Sequence, residues 1–293
     1  METTLHGDEA YPFRYYYENL ALFDFNCVDW HWHNELEFVY VECGDVSIDI
    51  GDAHFILHTG QGIMINSKAL HRFQSESDAI IPNFLFKPSF IAPAESLIYA
   101  KYVSPILASS LEYFVFREDI AWQSHALDLI KNIIILQDTD RNRELSVSIQ
   151  LQKLWLLLLE NLTIISSDNK AAVISRTRLQ LMMQYIHTHY SENISLEDIA
   201  GSAAIGKSTA LHLFQDNIKM TPVNYLIKYR LKQAAILLSG TAKKITVISS
   251  TIGFNNVDHF CRSFKKIYGI TPTDYRKQSD MTTAHGISLS LHP

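Results

Sequence analysis

The sequence predicts an α+β chain of two domains. The first is an antiparallel β-barrel or sandwich followed by a helical linker; the second is all-α, with two helix-turn-helix units. Three observations predict this. The hydrophobic period is two over residues 30–75 and becomes helical from about residue 122. A spaced set of residues recurs fifty positions apart in the last third of the chain. The charge also divides: residues 175–278 hold fourteen Lys/Arg against six Asp/Glu, a net of +8, while residues 1–174 carry −13, within a total of −6 over 293 residues.

In the first half, Leu36, Phe38 and Tyr40 alternate with Glu37, Val39 and Val41, and Gly44-Asp45 then offers a turn. Val46, Ile48 and Ile50 alternate with Ser47 and Asp49, and Gly51-Asp52 offers a second turn. Phe55 and Leu57, then the apolar run 63–65 after Gly60-Gln61-Gly62, complete a set of short strands. Such spacing predicts an antiparallel barrel or sandwich. Residues 80–118 read as one strand at 84–86 and then as Pro-punctuated, partly helical sequence. The first domain is placed at 10–118.

Helices are expected at 122–137 and 145–165, joined by a polar loop; together they form a linker over 120–166. The second is apolar on more than one face, which predicts burial on its own domain or on a second subunit. A polar break at 166–170 is the expected domain boundary. Further helices are expected at 175–190, 196–202, 207–217, 222–239, 246–252 and 256–268. Ser195 with Asp198 gives a capping signal, Pro222 opens a helix, and Gly240 sits just past its end. The tail 279–293 lacks periodicity and is expected to be disordered.

Composition narrows the class. At 47% hydrophobic and 19% charged the chain is too apolar for a disordered polymer. Three cysteines without a CxxC argue against a disulfide scaffold or zinc finger and fit a reducing compartment. The acidic opening METTLHGDEAYPF has no apolar leader core, and the most lipophilic run, 154–159, is far short of the ~20 residues of a membrane span. The expectation is a cytoplasmic protein without a membrane segment. No GxGxxG, P-loop or Ser/His/Asp pattern is present, so no catalytic residue is assigned.

The repeat carries the functional argument. Phe214, Thr221, Pro222 and Tyr225 return as Phe264, Thr271, Pro272 and Tyr275, without a gap. Each Phe lies in a helix of about ten residues that follows a turn and a shorter helix, the arrangement of a helix-turn-helix. With the local charge of +8, this predicts two readers of double-stranded DNA on one chain. Lys207, Ser208, Thr209 and His212 in the first reader, and Asn256, Val257, Asp258, His259 and Arg262 in the second, are the candidate base contacts. Lys265, Lys266 and Lys219 are candidate phosphate contacts. Ala210, Leu211, Leu213, Phe214, Phe260 and Phe264 are the candidate core.

Residues 178–277 resemble the DNA-binding domain of the AraC/XylS family of bacterial transcription regulators. The resemblance is strongest at Ile252-Gly253-Phe254, Phe260, Phe264-Lys265-Lys266, Tyr268-Gly269-Ile270, Thr271-Pro272 and Tyr275-Arg276. Leu196, Ile199-Ala200, Leu213-Phe214, Met220-Thr221-Pro222, Tyr225, Arg230-Leu231 and Ala234 carry it in the first half of the region. It implies a homodimeric regulator of promoters, acting with RNA polymerase, whose first domain senses a small-molecule effector. This chain departs from the family pattern at Gly206, Ala210, Ser249 and Asp258.

A second constellation lies upstream. His31-x-His33-x3-Glu37-x6-Gly44, with Gly62 and His71, resembles the cupin motifs. Equal parity on a strand would point His31, His33 and Glu37 the same way. The family resemblance implies an effector pocket lined by His31, His33, Glu37, Tyr40 and His71, with Trp30 and Trp32 nearby, and no cofactor. The alternative is a metal held by His31, His33, Glu37 and His71, and with it a metal-dependent enzyme fused to a DNA-binding module.

Overall fold

The computed structural model describes residues 6–138, 141–162 and 170–284, with side chains described except at 170–172 and beyond 279. It divides into two compact units, the second beginning at Lys170.

The first unit is built on nine strands: β1 Phe13–Asn19, β2 Cys27–His31, β3 Leu36–Tyr40, β4 Asp45–Ile50, β5 Ala53–His58, β6 Gly62–Ile65, β7 His71–Gln74, β8 Ile80–Phe86 and β9 Tyr113–Phe116. They form two antiparallel sheets, β1-β8-β3-β6-β9 and β2-β7-β4-β5. The barrel expected from the sequence is therefore open, a sandwich of a five-stranded and a four-stranded sheet. The β3–β4 turn contains Gly44 at φ +84°, where a Cβ would collide with the Asp78 carbonyl, so only glycine fits. Strands β1, β2 and β9 were not anticipated.

The five-stranded sheet is buried on both faces. Leu36, Phe38, Met64, Phe84, Phe86 and Phe116 face helices α2 Ala121–Ile135 and α3 Arg143–Asn161, which follow the short α1 Ser104–Ala108. Val39, Ile63, Ile65 and Ile81 face the other sheet, where Ile48, Ile50, Leu57 and Phe73 complete the inner layer. Gly62 lets Leu127 approach the sheet: a Cβ there would lie 3.0 Å from the Leu127 methyl. On α3, Val147, Leu151, Leu154, Trp155 and Leu158 turn into this core. Leu145, Ile149 and Leu156 line the opposite side and are 66%, 46% and 57% exposed. The predicted residues 163–165 of this helix lie outside the described residues.

The second unit is helical: α4 Lys170–His189, α5 Leu196–Ser202, α6 Lys207–Ile218, α7 Pro222–Gly240, α8 Ile245–Thr251, α9 Val257–Tyr268 and α10 Pro272–Ala284. The caps are local chemistry. Ser195 and Asp198 form a reciprocal capping box on α5. Thr221 caps α7, which opens with Pro222, and Asn256 caps α9.

Three details differ from the sequence reading. Gly240 is the last residue of α7 rather than the one beyond it. Residues 272–284 form a seventh helix, so the start of the expected disordered tail, 279–284, is helical; residues 285–293 lie outside the described residues. Leu211, placed with the core, is 36% exposed because Ala210, Phe214 and Ile218 already fill the inward stripe of α6.

Candidate functional site

Strand pairing assembles the first candidate site. β2 and β7 are neighbours, and their register sets His31 opposite His71. Between His31 and Leu36 the chain leaves the four-stranded sheet and enters the five-stranded one as β3, which carries Glu37. His31, His33 and Glu37 thus do not share a strand, as parity had suggested: they converge from two sheets and the link between them. The result is a compact group. One ligating atom from each of His31, His33, Glu37 and His71 can be chosen so that all lie within 4.8 Å of one another.

Each imidazole is oriented by its backbone. His31 Nδ1 lies 2.9 Å from the Asp29 carbonyl, His33 Nδ1 3.1 Å from that of Glu35, and His71 Nδ1 2.9 Å from that of Ala69. A carbonyl only accepts, so each Nδ1–H donates, and the Nε2 atoms are left to face the cluster. His33 Nε2 and His71 Nε2 each lie 3.1 Å from Glu37 Oε2. The fully buried His71 Nε2 makes no geometric hydrogen bond. Burial pushes the Glu37 carboxyl up, but the contacts with His33 and His71 outweigh it and hold the group well below the usual carboxylate range. This constellation can bind a small polar ligand or a cation.

Two aromatic expectations change. Tyr40 is not part of the group: on β3 it has the parity of Leu36 and Phe38, packs with the core under α2, and lies beneath Lys131 Nζ at 5.9 Å. Trp30 is buried, but it lies 5.5 Å from the guanidinium of Arg72, which alternates with His71 along β7 and so faces away from the histidines. Trp32 is buried as well. The three carbonyl acceptors at Asp29, Glu35 and Ala69 had no signal in the sequence, because every residue type carries the same carbonyl. The nearby His6 ring, edge-on to His33 at 5.6 Å, was also not anticipated.

The second candidate site is on the helical unit. On α6, Lys207, Ser208, Thr209 and His212 are all exposed, near the helix N-terminus. Lys207 Nζ pairs with Glu197 at 3.2 Å across the turn. On and before α9, Asn256, Asp258, His259, Arg262, Lys265 and Lys266 are exposed and Val257 is partly covered. Asn256 Oδ1 accepts from the His259 amide at 2.9 Å, and the His259 ring lies against Phe254. Lys219 is the left-handed residue just past α6, with Nζ donating to the Asp216 carbonyl. Ser249, at a usually small apolar position, is buried with its hydroxyl unpartnered.

One more contact joins the two halves of this unit. Arg230 on α7 donates Nε to the Tyr190 carbonyl at 2.7 Å and Nη2 to the Glu192 carbonyl at 2.6 Å. Its guanidinium lies 5.8 Å from the Phe254 ring, and Gly253 has φ +85° against it.

Comparison with known proteins identifies the family. A model of the AraC-like ligand binding domain matches residues 23–159, and a helix-turn-helix domain model matches residues 199–278. The chain is 30% identical over 253 residues to the uncharacterized HTH-type transcriptional regulator YdeC of Bacillus subtilis, covering 85% of this chain and 86% of that protein. It is 20% identical over 249 residues to the HTH-type transcriptional activator RhaR of Mannheimia succiniciproducens, covering 85% and 87%. With the arabinose operon regulatory protein of Escherichia coli it shares 30% identity over 163 residues, 55% of this chain and 54% of that one. With an N-terminal ligand-binding domain and a C-terminal paired helix-turn-helix region, the chain belongs to the AraC family of transcriptional regulators.

Proposed function

We propose that this regulator reads promoter DNA with α6 and α9 as paired recognition helices, and that its first domain responds to a ligand held by His31, His33, Glu37 and His71. The observation that carries the first half is the repeat. Two units present the N-terminal ends of equivalent helices, with Lys207, Ser208, Thr209 and His212 on one and Asn256, Val257, Asp258, His259 and Arg262 on the other. Lys265 and Lys266 supply phosphate contacts. The connector α7 has nineteen residues, about 28 Å at 1.5 Å per residue. Successive major-groove faces lie about 34 Å apart, and each reader adds width beyond the connector. One monomer therefore reads two adjacent grooves on one side of the duplex.

In this reading residues 10–118 take the effector, 120–166 support a homodimer, and 175–278 bind DNA. The exposed stripe of Leu145, Ile149 and Leu156 supports the dimer. The protein works in the cytoplasm as a regulator and not as an enzyme, and contacts RNA polymerase at its promoters; the regulator names of its relatives support this. No helix among the described residues is long and apolar enough to cross a membrane. The test is retention of the fragment 171–293 by duplex DNA in a gel, with log K falling as log salt rises at about 0.9 per phosphate neutralised. A fragment that folds but is not retained at low salt refutes the assignment.

A further inference from the structure

The four residues of the first site satisfy one another only in part: His33 Nε2 lies within hydrogen-bonding distance of Glu37 Oε2, while His71 Nε2 makes no hydrogen bond. The three Nδ1 positions are spent on backbone carbonyls, which leaves the Nε2 atoms for the group, and those of His33 and His71 lie 3.1 Å from Glu37 Oε2. A neutral Nε2 and a carboxylate oxygen are both acceptors and attract only through a proton or a cation placed between them. Buried polar groups are normally paired, yet His71 Nε2 is wholly buried, unpartnered and aimed into the group.

The spacing suits a cation. Transition-metal bonds to imidazole nitrogen and carboxylate oxygen run about 2.0–2.2 Å, so neighbouring ligand atoms of a tetrahedral or octahedral site lie roughly 3.0–3.5 Å apart and opposite ones about 4.2 Å apart. The two contacts to Glu37 Oε2 are 3.1 Å, and the whole set fits within 4.8 Å, a small side-chain adjustment from closure. Imidazoles oriented through Nδ1–H to a carbonyl have the second-shell arrangement that fixes a metal-ligating tautomer. Phe73, edge-on to His71 at 5.4 Å, gives the site an apolar wall.

We propose that His31, His33, Glu37 and His71 bind one divalent first-row transition-metal ion, of the class that favours imidazole ligands, and that such an ion is the ligand to which the first domain responds. The site itself rests on geometry alone. The response rests on the reading of the chain as a ligand-responsive DNA-binding regulator.

The test uses the full chain, stripped with chelator and then dialysed against Zn(II) or Co(II). Wild-type protein should retain about one equivalent, develop visible Co(II) bands and melt at higher temperature with the ion than without it. Glu37→Gln keeps the volume and removes the charge; His31→Ala removes a ring that is only half-buried. Both should keep the far-ultraviolet spectrum of the wild type and lose the stoichiometric ion and its bands. Substoichiometric retention by wild type overturns the site, as does equal retention by both folded variants. Promoter DNA binding by the full chain, measured with and without Zn(II), should differ about fivefold or more, and the difference should vanish in both variants. An ion bound with DNA affinity unchanged overturns the response alone. An ion bound with no DNA binding in either state overturns the regulator reading and leaves the metal site standing.

Discussion

Replacing Arg230 with Ala tests whether the two DNA readers are held as one rigid body. The guanidinium donates two hydrogen bonds, 2.7 Å to the Tyr190 carbonyl and 2.6 Å to the Glu192 carbonyl, and lies 5.8 Å from the Phe254 ring. Placed on the connector α7, it therefore touches the loop between α4 and α5 and the turn between α8 and α9. A hydrogen bond from a charged donor contributes about 1.5–3 kcal/mol. The bond to Glu192 is at the surface, where water can replace the lost donor, so it contributes at the low end. The bond to Tyr190 is partly buried and leaves a carbonyl without a donor. Arg230→Ala should then destabilise the helical unit by about 2–4 kcal/mol. Arg230→Lys should recover little, since a point ammonium cannot reach two carbonyls as a planar fork does. The assay is urea unfolding of the 171–293 fragment by circular dichroism, followed by affinity for a two-block site against a single block. The reasoning also predicts that Arg230→Ala erodes the advantage of two blocks over one. A variant within ~0.5 kcal/mol of wild type, the spread of ordinary surface changes, would falsify this account of the junction.

Other outcomes follow from particular contacts. Ser249→Ala should raise the stability of the helical unit by about 1 kcal/mol, because it removes a buried, unpartnered hydroxyl, and a lower urea midpoint would contradict this. Ser195→Ala should cost about 1 kcal/mol by opening the capping box on α5, read in the same titration. Leu156→Glu and Ile149→Glu should turn a dimer into a folded monomer by sedimentation, since both side chains are exposed on α3; a wild type that sediments as a monomer at micromolar concentration removes the dimer. Leu151 and Leu158 cannot serve in that test: they are buried in the core of their own subunit, and Leu151→Ala should cost about 2.7–5 kcal/mol whatever the oligomeric state. Lys265→Ala should weaken binding to all sequences alike and lower the salt slope by about 0.9, whereas Arg262→Ala should cost ~1–3 kcal/mol at one or two base pairs of one block.

Much of the fold was legible because its period was clean. Strands β3 to β5 alternate, β6 is an apolar run after a glycine break, and the helices of the second unit carry apolar stripes and caps. Strand β1 was not legible: its sequence FRYYYEN sets three consecutive tyrosines between charged residues and shows no clear apolar face. Helix α10 was missed because it is polar, although Thr271-Pro272 repeats the Thr221-Pro222 start of α7 and could have signalled it. At the candidate site, spacing identified the three histidines and Glu37, but not their convergence from two sheets. The parity of Tyr40 was readable and contradicted its placement beside Glu37; its aromatic ring was given more weight than its position on the strand. The acceptors that orient the imidazoles are main-chain atoms, and these become visible only when the chain is folded.

The central claim is that one chain reads DNA at two places through α6 and α9. Hydroxyl-radical footprinting of the full-length protein on its promoter site tests it most directly. The account predicts that each monomer protects two short blocks on one side of the duplex, about 10–10.5 base pairs apart and in direct order. Substituting Lys207, Ser208 or His212 should weaken one block, and substituting Arg262 the other. A footprint of one major groove per monomer, unchanged by substitutions in α6, would show that α9 alone reads the DNA.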